Sequence, residues 1–121
     1  FLACLHAEVG IRPVWLCPIR APTTTHPFAL YPLDAARIYI NFGFWDRVRS
    51  TREHPAGYLN RKIERKVGDL HGLKSLYSDS YYSESEFWNA YNAPAYTALK
   101  HRYDPGHLLP GLYEKCVLGH R

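Results

Sequence analysis

The stretch RIYINFGFW, residues 37–45, decides the fold class. Apolar side chains occupy every even position from Ile38 to Phe44, while the odd positions include Tyr39 and Asn41. This alternation is typical of a half-buried β-strand. A tyrosine and an asparagine beside a glycine suit a sheet face that a ligand approaches closely. Tyr39 and Asn41 are therefore candidate pocket residues.

Two other segments have the composition of strands. Residues 14–17 lie between Pro13 and Pro18, which predicts a short or edge strand. Residues 73–82 also alternate in polarity, so we expect a third strand there. One face of this strand would carry three polar side chains: Tyr77, Asp79 and Tyr81.

Helical patterns follow the second and third predicted strands. Residues 56–71 repeat apolar side chains at helical spacing, with Gly72 expected at the C′ position. Ser83 and Glu86 have the spacing of a capping box, which starts the next helix. Pro94 must break that helix into two short ones.

The order strand, strand, helix, strand, helix, tail predicts an α+β fold with a partial antiparallel sheet and helices on one face. Residues 21–36, with three prolines and three threonines, predict a stiff loop.

Three strands are few for a self-sufficient sheet. The chain also lacks methionine and begins at Phe1 within an apolar run. We therefore expect a fragment of a longer chain that supplies further strands upstream.

The composition excludes several classes of protein. The 121 residues are 46% hydrophobic and 21% charged, with a formal net charge of +4, which argues against wholesale disorder. No apolar run approaches the ~18 residues of a spanning helix, and no signal-peptide pattern is visible. Three widely spaced cysteines favour reduced thiols and a cytoplasmic protein.

Recognisable catalytic and ligand motifs are absent from the sequence. The seven histidines and three cysteines show no zinc-ligand spacing, so we expect no metal. There is no nucleophile elbow and no glycine-rich phosphate loop. If the protein uses a nucleotide cofactor, its main binding loops lie outside these residues.

Residues 47–74 carry eight basic and three acidic side chains. A solvated helix face explains such a surplus, and so does contact with nucleic acid, an anionic membrane surface or a phosphorylated cofactor.

The face formed by Tyr77, Asp79 and Tyr81 also has two interpretations. A tyrosine can donate a proton and an aspartate can orient its hydroxyl, as in a ligand cavity, but a cross-strand aromatic cluster gives the same pattern.

Five segments, taken in order, resemble the C-terminal part of Δ24-sterol reductase-like enzymes, FAD-linked oxidoreductases of the vanillyl-alcohol oxidase type. The segments are Pro13-Val14-Trp15-Leu16-Cys17-Pro18, His71-Gly72, Leu76-Tyr77-x-Asp79-x-Tyr81, Ser83-x-x-Glu86-Phe87-Trp88, and Leu99-Lys100-x-x-Tyr103-Asp104-Pro105 with Leu109-Pro110-Gly111. The resemblance implies that residues 1–103 belong to the cap domain and that residues 104–121 return to an upstream FAD-binding domain. It also implies hydride transfer from NADPH through flavin to a carbon–carbon double bond of a sterol or a branched or unsaturated lipid. The His26-Pro27 loop and residues 45–49 depart from the animal sterol enzymes, which suits a bacterial lipid equally well.

The resemblance also implies roles for individual residues. Tyr81 or Tyr77 would give the proton to the alkene, and Asp79 would orient or feed that donor. Tyr39 and Asn41 would contact the substrate. Lys100 and Tyr103 would contact the cofactor.

Two alternatives remain open at this stage. The first, within the same family, is an FAD-linked oxidase or dehydrogenase with another acceptor. The second is a small basic module that binds nucleic acid or an anionic membrane. The family interpretation itself implies a lipid substrate and contact with the upstream FAD domain, and it implies that the protein does not bind nucleic acid. It also implies a cytoplasmic location, with peripheral membrane association as a further option.

Overall fold

A computed structural model describes residues 1–23 and 28–120. The described elements are, in chain order, helix α1 (Leu2–Cys4) continued by a π-helical turn (Leu5–Val9), strands β1 (Val14–Ile19) and β2 (Tyr39–Phe44), and helices α2 (Tyr58–Asp69), α3 (Glu84–Ala90), α4 (Ala93–Tyr103) and α5 (Leu112–Cys116). The predicted α+β class is confirmed. The described part of the predicted 21–36 loop contains no helix or strand, and Thr24, Thr25, His26 and Pro27 lie outside the described residues.

The sheet is a single antiparallel pair in which β1 and β2 run from Val14 opposite Phe44 to Ile19 opposite Tyr39. Strand β2 was predicted from its alternation and β1 from its composition and flanking prolines, although β1 extends through Pro18 to Ile19 rather than ending at Cys17. The register places Trp15 opposite Gly43, and a Cβ on that glycine would lie 2.6 Å from the Trp15 ring. The glycine therefore gives the indole room to lie flat on the neighbouring strand.

One hydrophobic core joins the N-terminal helix to the sheet and α2. Leu5, Val9 and Ile11 are its buried centre. Phe1 packs edge-on against Phe42, with ring centroids 4.9 Å apart. Partly buried side chains complete this core: Phe1, Val14, Phe44, Val48, Leu59 and Ile63.

A second, aromatic cluster holds the C-terminal helices together. Phe87 and Tyr91, one turn apart, are fully buried. The Phe87 ring also contacts Trp88 at 5.0 Å and Tyr113 at 5.4 Å between centroids, and Tyr82 lies edge-on to Tyr91. Aromatic edge-to-face pairs of this kind add to the free energy gained by burial.

The helix ends follow the sequence closely. The Ser83–Glu86 capping box is present, and Pro94 lies in the first turn of α4, so the predicted break into two helices is confirmed. The end of α2 differs by one residue from the prediction. His71 takes the left-handed conformation, with φ of 53°, and Gly72 N–H donates to the Val67 carbonyl over 2.9 Å. Gly72 is thus the C″ residue of a Schellman motif rather than C′.

The predicted strand at residues 73–82 is wrong. The structure contains turns and extended loop there, and Tyr77, Asp79 and Tyr81 do not share a strand face. The amide groups of this segment bond individually to other parts of the chain instead of to a neighbouring strand. Leu76 N–H donates to the Tyr31 hydroxyl over 3.2 Å, and Ser80 N–H donates to the Cys116 carbonyl over 3.3 Å.

Gly57 offers a direct test of how α2 begins. Its φ is 73°, and a Cβ built there would overlap the Tyr81 ring. We expect Gly57→Ala to lower the free energy of unfolding by about 1–3 kcal/mol through backbone strain and displacement of the ring. Gly68→Ala is the matched control, because a Cβ at Gly68 in α2 meets nothing within 4 Å. The Gly68→Ala variant should raise the free energy of unfolding by roughly 0.5–1 kcal/mol, measured by urea unfolding. Equal effects of the two variants would contradict this account.

Candidate functional site

A buried carboxylate lies at the centre of the candidate site. Glu64 projects from α2, and only 1% of the residue is exposed. Its Oε1 atom lies 2.9 Å from the Lys74 Nζ atom and accepts the Tyr81 N–H over 3.0 Å. Its Oε2 atom lies 3.5 Å from the Arg61 guanidinium. Glu64 therefore connects the helix to the loop that carries two of the candidate tyrosines.

Lys74 fixes the same loop from its own side. Its ammonium donates to the Ser80 hydroxyl over 3.2 Å and to the Asp79 carbonyl. Its carbonyl accepts the Tyr91 hydroxyl over 2.6 Å. Burial raises the pKa of Tyr91, which keeps that hydroxyl protonated as a donor. These bonds replace the strand pairing that the sequence pattern predicts.

Arg61 and Glu86 make a second link between α2 and the C-terminal helices. Their side chains form an ion pair, and Glu86 also accepts the Ser83 backbone N–H over 2.8 Å. The Arg61 guanidinium, followed by the Ser83 bonds, lowers the pKa of Glu86 to about 2. Glu86 therefore caps α3 and anchors α2 as a carboxylate at neutral pH.

Tyr81, one of the three predicted catalytic residues, lines a groove beside α2. The groove has a volume of about 340 Å³ and is bordered by Arg61, Lys62 and Arg65 of α2. Tyr77, in contrast, is 85% exposed and points away from the packed structure. Asp79 is exposed and contributes its backbone carbonyl to Lys74.

The predicted substrate residues Tyr39 and Asn41 share the sheet face that also carries Trp15. The Tyr39 hydroxyl accepts the Asp34 N–H over 2.9 Å, which holds the loop before β2. Asn41 is exposed and lies opposite Cys17. Neither residue lines the groove beside Tyr81.

The predicted cofactor residues Lys100 and Tyr103 have different surroundings. The Lys100 ammonium pairs with Asp104 and donates to the Leu109 carbonyl over 2.6 Å. Asp104 also accepts the Leu108 and Leu109 N–H groups over 2.8 and 3.1 Å. The Lys100 hydrogen bond is the main cause that lowers the pKa of Asp104 to about 2. Lys100 and Asp104 thus shape a loop, while the Tyr103 ring is 72% exposed with the Arg102 guanidinium 5.2 Å from its centroid.

These residues do not by themselves fit a flavin. The Lys100 ammonium is occupied within the chain, and Tyr103 is an isolated exposed ring. An FAD bound beside them would need most of its contacts from other residues.

The sequence analysis missed the buried pair Glu64 and Lys74. Glu64 directly follows Ile63 and precedes Val67 by three positions, so it lies beside the apolar stripe of α2 rather than opposite it. A carboxylate at such a position needs a cationic partner. That requirement is a usable signal, although it does not identify Lys74 as the partner.

Two further features are absent from residues 1–23 and 28–120. No group of three or more metal-ligating side chains occurs there. None of the helices in this part of the chain has the length and apolar character needed to cross a bilayer.

The chain is similar to delta(24)-sterol reductases. The rat and human enzymes are each 28% identical to it over 109 residues, which are 89% of this chain and 20% of theirs. The Arabidopsis thaliana protein of the same name is 22% identical over 135 residues, or 99% of this chain and 24% of its own length.

The chain spans about a fifth of the length of the mammalian relatives. No protein-family model matches the chain, and no solved structure matches it with significance.

Removing the cation beside Glu64 should destabilise the protein strongly. In Lys74→Met, the buried Glu64 side chain loses its closest cationic partner, and we expect a loss of about 3–5 kcal/mol of unfolding free energy. Adding Glu64→Gln should recover part of this loss, because the amide oxygen can still accept the Tyr81 N–H without a charge. Urea unfolding measures both variants.

Lys62→Met is the control for this prediction. Lys62 pairs with Glu8 at the surface, 2.8 Å away, and solvent weakens such pairs. Its removal should leave stability nearly unchanged. A Lys74→Met variant as stable as Lys62→Met would show that the Glu64 pair does not hold the site together.

Proposed function

We propose that the whole protein containing this chain is an FAD-linked oxidoreductase that reduces a carbon–carbon double bond of a sterol or of a branched or unsaturated lipid. In this proposal NADPH supplies the electrons, and FAD, when bound, carries the hydride to the alkene. The observation that carries the proposal is the similarity to delta(24)-sterol reductases over 89% of the chain.

We assign residues 1–103 to the substrate-covering cap domain and residues 104–121 to a segment that returns to the FAD-binding domain, in the manner of vanillyl-alcohol oxidase-type enzymes. Large apolar side chains support a role as one part of a larger enzyme. Trp45 is 94% exposed and Leu108 is 86% exposed. Side chains of this kind favour contact with another domain or a lipid.

Tyr77 is the better of the two proposed proton donors on the grounds of exposure. Its hydroxyl is accessible to a substrate held between this chain and the rest of the enzyme. Asp79, two residues away, is exposed on the same loop and would orient it. Tyr81 instead packs over Gly57 beside three cationic side chains, surroundings that suit an anion better than a lipid alkene.

The remaining roles follow from the same proposal. Tyr39 and Asn41 would contact the lipid through the sheet face. Lys100 would act through the Asp104 loop, placing Tyr103 and Leu108 toward the cofactor domain. A cytoplasmic enzyme with peripheral membrane association fits a lipid substrate.

The whole protein should contain flavin and accept electrons from NADPH. Its visible spectrum should show oxidised flavin, which bleaches when NADPH is added without oxygen. A flavin that stays oxidised with NADPH would favour the oxidase or dehydrogenase alternative. Absence of flavin would contradict the proposal and favour a basic binding module.

Tyr77→Phe should slow reduction of the lipid substrate by roughly 10²-fold or more, the usual contribution of a positioned proton donor. Flavin content and the rate of flavin bleaching by NADPH should stay unchanged, because neither requires that proton. Single-turnover kinetics separates the two half-reactions. Tyr81→Phe is the comparison variant, and a slow alkene step in Tyr81→Phe alone would transfer the role to Tyr81.

A further inference from the structure

Two neighbouring grooves meet at the start of α2 and share Pro55 and Tyr58. The first is the groove of about 340 Å³ beside Tyr81, and the second has a volume of about 320 Å³. We call the pair the basic trough. Their lining includes five cationic or titratable basic side chains and no acidic one: Arg52, His54, Arg61, Lys62 and Arg65.

Two of these cations are available to a ligand. Arg61 is engaged by Glu64 and Glu86, and Lys62 is engaged by Glu8. Arg52 and Arg65 are exposed and make no ion pair with any of the described residues. The trough therefore presents two guanidinium groups that can bind phosphate in a bidentate manner.

Flat aromatic side chains line the same trough as these guanidinium groups. The His54 ring stacks on the Tyr58 ring with centroids 4.2 Å apart and an interplanar angle of 7°. Tyr81 packs closely against Gly57 and adds a further aromatic ring to the lining of the first groove. Rings of this kind can stack on a nucleobase, while the neighbouring arginines bind its phosphates.

We propose that the basic trough binds the phosphorylated adenosine portion of NADPH, with Arg65 and Arg52 contacting phosphate groups and the His54–Tyr58 stack contacting the base. The proposal rests on the proposed function, in which NADPH is the electron donor. Each groove has a volume within the range of small-molecule sites, and two adjoining grooves suit an elongated dinucleotide. Four of the eight basic side chains between residues 47 and 74 line the trough: Arg52, Arg61, Lys62 and Arg65.

The test is calorimetric titration of the whole protein with adenosine 2′,5′-bisphosphate, which contains the phosphorylated adenosine but cannot donate hydride. Arg65→Gln should raise the dissociation constant about 5- to 10-fold, the effect of losing one charge-assisted phosphate contact at an exposed site. Arg65→Lys should retain part of the affinity. Arg37→Gln is the matched control, because Arg37 is an exposed arginine that pairs with Asp34 outside the trough.

A kinetic measurement adds a second readout. In Arg65→Gln, the KM for NADPH in flavin bleaching should rise by a similar factor. Unaltered bisphosphate affinity in both Arg65→Gln and Arg52→Gln, with folding confirmed by urea unfolding, would overturn the trough as the nucleotide site.

The outcomes separate this proposal from the proposed function. If NADPH bleaches the flavin but the arginine variants change neither bisphosphate affinity nor the KM for NADPH, the proposed function stands and the trough is not the nucleotide site. A protein without flavin that still binds the bisphosphate in an Arg65-dependent manner would refute the function and support the trough. Absence of bisphosphate binding, with Arg65-dependent binding of RNA or of anionic vesicles, would overturn the proposal in favour of a macromolecular anion.

Discussion

The buried carboxylate of Glu64 constrains how the two halves of the chain meet. Removing a charge from water is costly, and attraction to a partner offsets that cost only when the geometry is good and the remaining hydrogen-bonding positions are filled. Lys74, Arg61 and the Tyr81 N–H provide this environment. Arg61 lies on α2 with Glu64, whereas Lys74 and Tyr81 lie at the two ends of the loop at residues 74–81, so satisfying one carboxylate fixes this loop against α2.

Local sequence signals predicted several elements correctly. The Ser83 capping box and the break at Pro94 depend on neighbours a few residues away. The alternation in β2 also predicted a strand, although its partner β1 lies much earlier in the chain. Residues 73–82 show the limit of such signals. Their alternation is compatible with a strand, but their amides bond to Glu64, Tyr31 and Cys116 from distant positions. Nothing in the local pattern reports those partners, so the strand prediction failed and with it the predicted common face of the tyrosines.

The candidate site was predictable in residue type more than in arrangement. The basic surplus, the polar tyrosines and the Lys100–Asp104 motif were visible in the sequence. The structure separates them: Tyr81 borders a basic trough, Tyr77 is exposed, and Lys100 shapes a loop. This separation suggests distinct surfaces for an anionic nucleotide and for an apolar substrate. Both surfaces depend on the loop that Glu64 and Lys74 hold, which links the packing of the chain to its proposed chemistry.

Amide hydrogen exchange at Tyr81 tests this central constraint most directly. The Tyr81 N–H lies in a loop, yet it donates to the buried Glu64 carboxylate. We predict that it exchanges as slowly as the amides in the middle of α2, and that Lys74→Met removes this protection before the helix itself loses protection. An amide that exchanges as fast as that of the exposed Tyr77 in the wild-type protein would contradict the account.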